Sequence, residues 1–334
     1  MSRTPLPGIH LPGLDKPITR LIQGAMMLRS AENGQASAES FELLDTAFAH
    51  GMTTFDLAHV YGGGSCDRIF GQWVRSRDLR QQVVMIAKGC HHNQDRKRVT
   101  PYDIQADMAD SLARTGFDYL DLWCFHRDDP AQPVGPLVET CSAAVAAGRI
   151  RAWGMSNWSL PRIREAIAYA EAQQLVGPVV SSPNYSLAEQ IDSPWGNDCI
   201  TISGPSHQAD RDWHAASGFP VLAWSSLARG FLAGGLTRDT LEAVRHQYEE
   251  HTLRCYVCEA NWQRQERAAA LAQQYGCSLA TICLAFVLNA DFPCCALVGA
   301  RNASEMAANL QALAITLSPA ERAWLDLASD QRPW

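Results

Sequence analysis

Four side chains carry the chemistry that this sequence suggests: Asp56, Tyr61, Lys88 and His126. Asp56 ends the short apolar run Met52–Asp56, Lys88 ends Val83–Lys88, and His126 ends Tyr119–His126. Tyr61 follows Asp56 by five residues and is itself followed by Gly62, Gly63 and Gly64. A polar or charged group at the end of a buried strand is a costly choice unless it has a use. A free phenol, with a pKa of about 10, is a poor proton donor at neutral pH. A lysine ammonium about 4 Å away favours the phenolate by roughly 4 kcal/mol at an effective dielectric of about 20. The expectation is therefore a Tyr61 whose pKa Lys88 lowers by about three units. Asp56 holds Lys88 charged, and His126 donates a hydrogen bond to a carbonyl beside Tyr61. His59, within the same stretch, is given no role.

Such a site needs neighbouring strands that end at one face. Apolar runs of strand length alternate with helical patterns along the 334 residues. The strands are Thr19–Ala25, Met52–Asp56, Val83–Lys88, Tyr119–His126, Ile150–Ser156, Pro178–Asn184, Pro220–Ser225 and Cys295–Gly299. Their unbroken apolar character predicts parallel strands covered on both faces. Helices fill the gaps, with Thr100 and Ser159 as starts and Gly116, Gly148 and Gly276 just past ends. Eight such pairs predict an α/β fold of the (β/α)8 TIM barrel type. The whole of 1–334 is read as one barrel domain. Residues 1–18 form an irregular lead-in, and 315–334 a C-terminal helix and tail. Extra helices fall at Ser278–Leu288 and Ser318–Ala328, and long loops at 188–208 and 228–250 cover the C-terminal mouth.

Composition narrows the class. Hydrophobic residues make up 47% and charged residues 19%, as in a well-buried globular enzyme. A net charge of −7 with no basic run argues against a nucleic-acid or anionic-membrane partner. No apolar stretch approaches the roughly 18 residues of a membrane span. No secretory leader is expected from the Pro- and Gly-containing N-terminus. Eleven cysteines, several inside apolar runs, are read as reduced thiols of a cytoplasmic protein rather than as a disulfide framework or zinc site.

The stretches "GMTTFDLAHVYGGG", "VVMIAKG", "YLDLWCFHR", "GRIRAWGMSNW", "AWSSLARGFLAGG" and "LVGARNASEMAANLQAL" occur in this order over about residues 19–328. With them the chain resembles the aldo-keto reductase superfamily. The resemblance implies reversible hydride transfer between a nicotinamide dinucleotide and a small-molecule carbonyl or alcohol, with no metal. Asp56, Tyr61, Lys88 and His126 match the catalytic four, Tyr61 being the acid/base. Ser156 and Asn157 match the pair that binds the nicotinamide carboxamide. Ser182 stands where many relatives carry Gln. Trp224 matches the aromatic ring that stacks on nicotinamide, and Ser225, Leu227 and Gly230 match the pyrophosphate segment. Arg301 and Asn309 resemble residues at the adenosine end. Arg301 favours NADP(H) over NAD(H), whereas Glu305, placed to repel a 2′-phosphate, works against it.

Met27, Trp158 and Trp195 are the expected substrate contacts, for an aldehyde, ketone or sugar-derived carbonyl. The loop with Pro194–Trp195–Gly196 is longer than in many members. Two other readings stay open at this stage. One is a nicotinamide-binding regulatory barrel with little turnover, a kind of relative the superfamily contains. The other is a metal-dependent hydrolase using Asp56, His59 and His126, which leaves Lys88 placed to repel the metal.

Overall fold

A computed structural model of the chain describes residues 6–31, 35–196, 198–300 and 302–334. A two-stranded antiparallel ribbon comes first, β1 (Gly8–Ile9) against β2 (Ile18–Thr19). The lead-in expected to be irregular therefore contains one short strand. Eight parallel strands follow: β3 (Leu21–Gly24), β4 (Thr54–Asp56), β5 (Val84–Gly89), β6 (Leu120–Phe125), β7 (Ile150–Ser156), β8 (Ser181–Ser182), β9 (Val221–Ala223) and β10 (Cys294–Val298). They close into a barrel in chain order, with β10 next to β3. Neighbouring strands pair in parallel register, for example Asp56 with Ile86 and Lys88 with Cys124.

Each predicted strand is present, often shorter than the apolar run that announced it. The run 178–184 keeps only the pair Ser181–Ser182 as strand. Proline at 178 and 183 explains this, because it cannot donate to a ladder. Helices separate the strands and start where the sequence indicated. Thr100 caps Pro101–Thr115 by accepting the Asp103 N–H, and Gly116 ends that helix at φ 70°. Ser159 precedes Leu160–Ala172 without a side-chain cap bond. Two short helices that the pattern did not reveal, Leu241–Val244 and Glu250–Tyr256, lie in the loop region after β9.

By packing, the chain divides into two compact units. One comprises Met1–Ser182 with Gly299–Ala303 and carries β1 to β8. Its core contains the ring cluster Phe55, Phe70 and Trp73, with centroids 5.2–5.7 Å apart. The other comprises Pro183–Val298 with Ser304–Trp334 and carries β9 and β10. The helix Leu279–Leu288 is buried along most of its length there, and Tyr185 packs on Phe286 and Phe292.

Candidate active site

The strand register brings the four predicted groups together. Asp56 is the last residue of β4 and pairs with Ile86, so Lys88 lies two residues farther along the same face of β5. Beyond the strands the ladder continues, with the Leu57 N–H donating to Ile86 O and the His126 N–H to Gly89 O. Lys88 donates a short hydrogen bond to Asp56, and both are nearly fully buried. Lys88 Nζ lies 5.2 Å from the Tyr61 ring centroid. The Tyr61 and His126 rings meet edge to face, 5.8 Å apart at 85°.

Tyr61 owes its position to the residues on either side. It opens a single 3-10 turn, Tyr61–Gly64, in which Gly62, Gly63 and Gly64 have φ of 56°, 61° and 88°. Glycine takes a left-handed φ without the Cβ clash that other residues meet, which suits it to three such positions in succession. At Gly64 a Cβ would also approach the Arg114 guanidinium to 2.5 Å. On the other side, the His59 N–H donates to Lys88 O at 2.8 Å, and Arg114 donates to His59 O at 2.8 Å. The His59 ring lies on Asp110, Nε2 to Oδ2 2.8 Å, with Asp107 at 3.6 Å. His59, without a role in the sequence reading, clamps the loop between Asp56 and Tyr61.

The electrostatics correct one expectation. Burial pushes the Tyr61 phenol up, Lys88 pulls it down and Asp56 adds to the rise, so its pKa lies above the ordinary value. Lys88 alone was expected to lower it, but the carboxylate that keeps the lysine charged also offsets its field at the phenol. For Lys88, burial opposes the charge, yet Asp56 and Tyr61 outweigh it and raise the pKa to about 12. Burial also raises the Asp56 pKa against the pull of Lys88. His126 is held well below the ordinary imidazole value, first by burial and then by Lys88 and Arg127. Its ring is therefore neutral near pH 7.

Sequence reasoning missed two neighbours. His91 packs edge to face on His126, centroids 4.7 Å apart at 80°. Arg127, 4% exposed, donates to His126 O at 3.0 Å. His91 follows β5 by two residues and Arg127 follows β6 by two. A search for polar groups just past strand ends, beyond the last residue of each apolar run, could have found them.

Other expected residues fall as follows. In the first unit, Ser156 ends β7 and donates to Ser182 O at 2.8 Å. Asn157, at φ 59°, donates to His126 O at 3.1 Å, tying β7 to the end of β6. Met27 is half-buried, 3.8 Å from Gln23 Nε2. Trp158 is 2% exposed, its N–H on Arg127 O and its ring against Phe125 and Arg162. A ring so covered shapes a wall from behind and offers no stacking face, which corrects its expected contact with substrate.

In the second unit, Trp224 follows β9, half-buried, with a buried Nε1 that has no partner among the described residues. Trp195, 46% exposed, lies 5.8 Å from it and stacks under Arg229, which pairs with Glu249 at 2.6 Å. Ser225, Ala228, Arg229 and Gly230 all have positive φ, and Leu227 lies among them, half-buried. Within this turn the Ala228 N–H donates to Ser225 O at 2.7 Å and the Gly230 N–H to Leu227 O at 3.0 Å. Asn309 is buried and Glu305 half-buried on the helix Ala303–Gln311. Arg301 lies outside the described residues. Among the described residues, no group of three or more His, Cys, Asp or Glu side chains is placed to hold a metal. Among the described residues, none of the eleven cysteines is in a disulfide. No single helix among the described residues is long and apolar enough to cross a membrane.

A sequence model of the Aldo/keto reductase family matches residues 20–329. A protein of Oryza sativa subsp. japonica named as a probable voltage-gated potassium channel subunit beta is 25% identical over 285 residues, covering 82% of each chain. An uncharacterized oxidoreductase of Bacillus subtilis, YrpG, is 25% identical over 313 residues, covering 90% of this chain and 89% of its own. Among solved structures, an aldo-keto reductase from Klebsiella pneumoniae in complex with NADPH superposes with a TM-score of 0.69 at 23% identity. It covers 100% of this chain and 98% of its own.

Proposed function

Because this chain belongs to the Aldo/keto reductase family, a family of oxidoreductases, we propose that it is an NADP(H)-dependent carbonyl reductase. It would catalyse reversible hydride transfer between nicotinamide C4 and an aldehyde, ketone or sugar-derived carbonyl. The observation that carries this reading is the buried Asp56–Lys88 pair set beneath the Tyr61 ring, with a neutral His126 against its edge. Bound reduced nicotinamide supplies the hydride. Tyr61 supplies the proton to the carbonyl oxygen. Its raised pKa keeps it protonated near neutrality, so it is in the right form to donate. In the reverse direction Lys88 stabilises the phenolate that must take the proton back, and Asp56 keeps Lys88 charged. His126 orients the carbonyl oxygen by one hydrogen bond.

The residues present fit the dinucleotide. Trp224 offers a half-buried aromatic face, and Ser225, Leu227 and Gly230, in the turn that follows it, are the proposed pyrophosphate contacts. Ser156, Asn157 and Ser182 are the proposed carboxamide contacts, and Arg301, Glu305 and Asn309 the adenosine end. NADPH in the Klebsiella pneumoniae structure supports the phosphorylated cofactor, with NAD(H) as the alternative. Met27 and Trp195 are the proposed substrate contacts. The mostly buried cysteines, none in a disulfide among the described residues, support a reducing compartment such as the cytoplasm.

Absorbance of the reduced nicotinamide, followed with a panel of carbonyls, tests the proposal. Tyr61→Phe should lose about 10²–10⁴-fold in kcat, and equal rates would reject the assignment. The similarity to a potassium-channel β subunit favours a second reading, a nicotinamide-binding regulatory barrel. NADPH binding without turnover of any carbonyl in wild type would select it.

A further inference from the structure

The turn after β5 fixes the ring of His91. Cys90, at φ 60°, reverses the chain and is pinned by its N–H donating to Asp107 Oδ2 at 2.7 Å. His91 Nδ1 then lies 2.8 Å from His92 O. A carbonyl oxygen only accepts, so Nδ1 holds the proton and Nε2 is left with a lone pair. Burial, with the nearby Arg127 and Arg98 charges, lowers the His91 pKa and keeps that lone pair available. His126 has the opposite tautomer. Its Nδ1 is buried with no partner among the described residues, and an orphan N–H is the costlier group to bury, so the proton sits on Nε2. Tyr61, His126 and His91 form a row of three rings, each edge to face with the next. The row offers two donors, the Tyr61 hydroxyl and His126 Nε2–H, followed by one acceptor, His91 Nε2.

We propose that His91 accepts a hydrogen bond from a hydroxyl on the carbon next to the reacting carbonyl, so that the site selects 2-hydroxy aldehydes and ketones. This rests on the carbonyl-reductase reading above. In such a substrate the carbonyl oxygen takes both donors, and the neighbouring hydroxyl meets the acceptor beside them. A substrate without that hydroxyl leaves Nε2 unpaired.

The experiment compares 2-hydroxypropanal with propanal under NADPH, as the ratio of their kcat/KM values measured on one preparation. A ratio cancels the fraction of active protein, so partial misfolding does not imitate the effect. His91→Phe should lower the ratio about tenfold relative to wild type. His91→Gln, which keeps an acceptor oxygen, should recover part of it. A ratio unchanged in His91→Phe, or equal losses on both aldehydes, overturns the hydroxyl site alone. No turnover of either aldehyde by wild type overturns the carbonyl-reductase reading and this inference with it.

Discussion

At the scale of single residues, the site works through opposed environments for groups a few ångströms apart. Lys88 keeps its charge because Asp56 shares its burial, whereas His126 loses its charge to burial first and then to the nearby Lys88 and Arg127. The second effect has a measurable consequence. A histidine buried neutral binds no proton when the unfolded chain does, so it costs stability as pH falls below about 6.5. Unfolding by urea should show wild type losing stability between pH 6.5 and 5 faster than His126→Gln. The difference should be at most about 1.4 kcal/mol per pH unit, the slope of one proton. Equal slopes would mean that His126 protonates freely in the folded protein.

At the scale of elements, the loop from Leu57 to Gly64 decides whether these groups cooperate. The loop owes its shape to three left-handed glycines and to His59, which joins the Lys88 carbonyl, Arg114 and Asp110. His59→Ala removes the ring's bond to Asp110 and leaves the backbone bonds in place. Stability should fall by about 1 kcal/mol, and kcat should fall while the NADPH dissociation constant stays put. An unchanged kcat would show that Tyr61 holds its place without the clamp. His59 carried no signal in the sequence because its partner, Asp110, lies on a helix fifty-one residues later. Lys88, by contrast, was legible as a costly residue at a strand end, and Tyr61 as a phenol in the loop just beyond one.

At the scale of the whole molecule, the two ends of the strands divide the work. The proposed catalytic groups lie at the C-terminal ends, while Asp121, near the start of β6 and 1% exposed, gathers charges at the other. Lys16 at 2.7 Å and Arg80 at 2.9 Å pair with it, and the Met85 N–H donates to it at 3.0 Å. Asp121→Ala leaves these half-buried cations and the buried Met85 N–H without their carboxylate and should cost about 1–3 kcal/mol, read as a lower urea midpoint. Turnover per folded molecule should be unaltered; a fall in turnover with stability intact would contradict this division of labour.

Periodicity and turn residues were enough to determine eight strands, their order along the chain and the strand-end positions of Asp56, Lys88 and His126, because these are local consequences of burial and of backbone preference. The family-like motifs named the same residues. Three things waited for the tertiary structure: the direction of the Tyr61 pKa, the covering of Trp158 and the purpose of His59. Each is set by groups distant in sequence. Burial of the phenol, the offsetting field of Asp56, the packing of Phe125 and Arg162 on an indole, and a carboxylate one helix away exist only once the strands have closed. The reason "DLAHVYGGG" ends in three glycines belongs to both levels. The letters announce a turn, and only the fold shows that it must be left-handed three times over to bring a phenol back over a buried lysine.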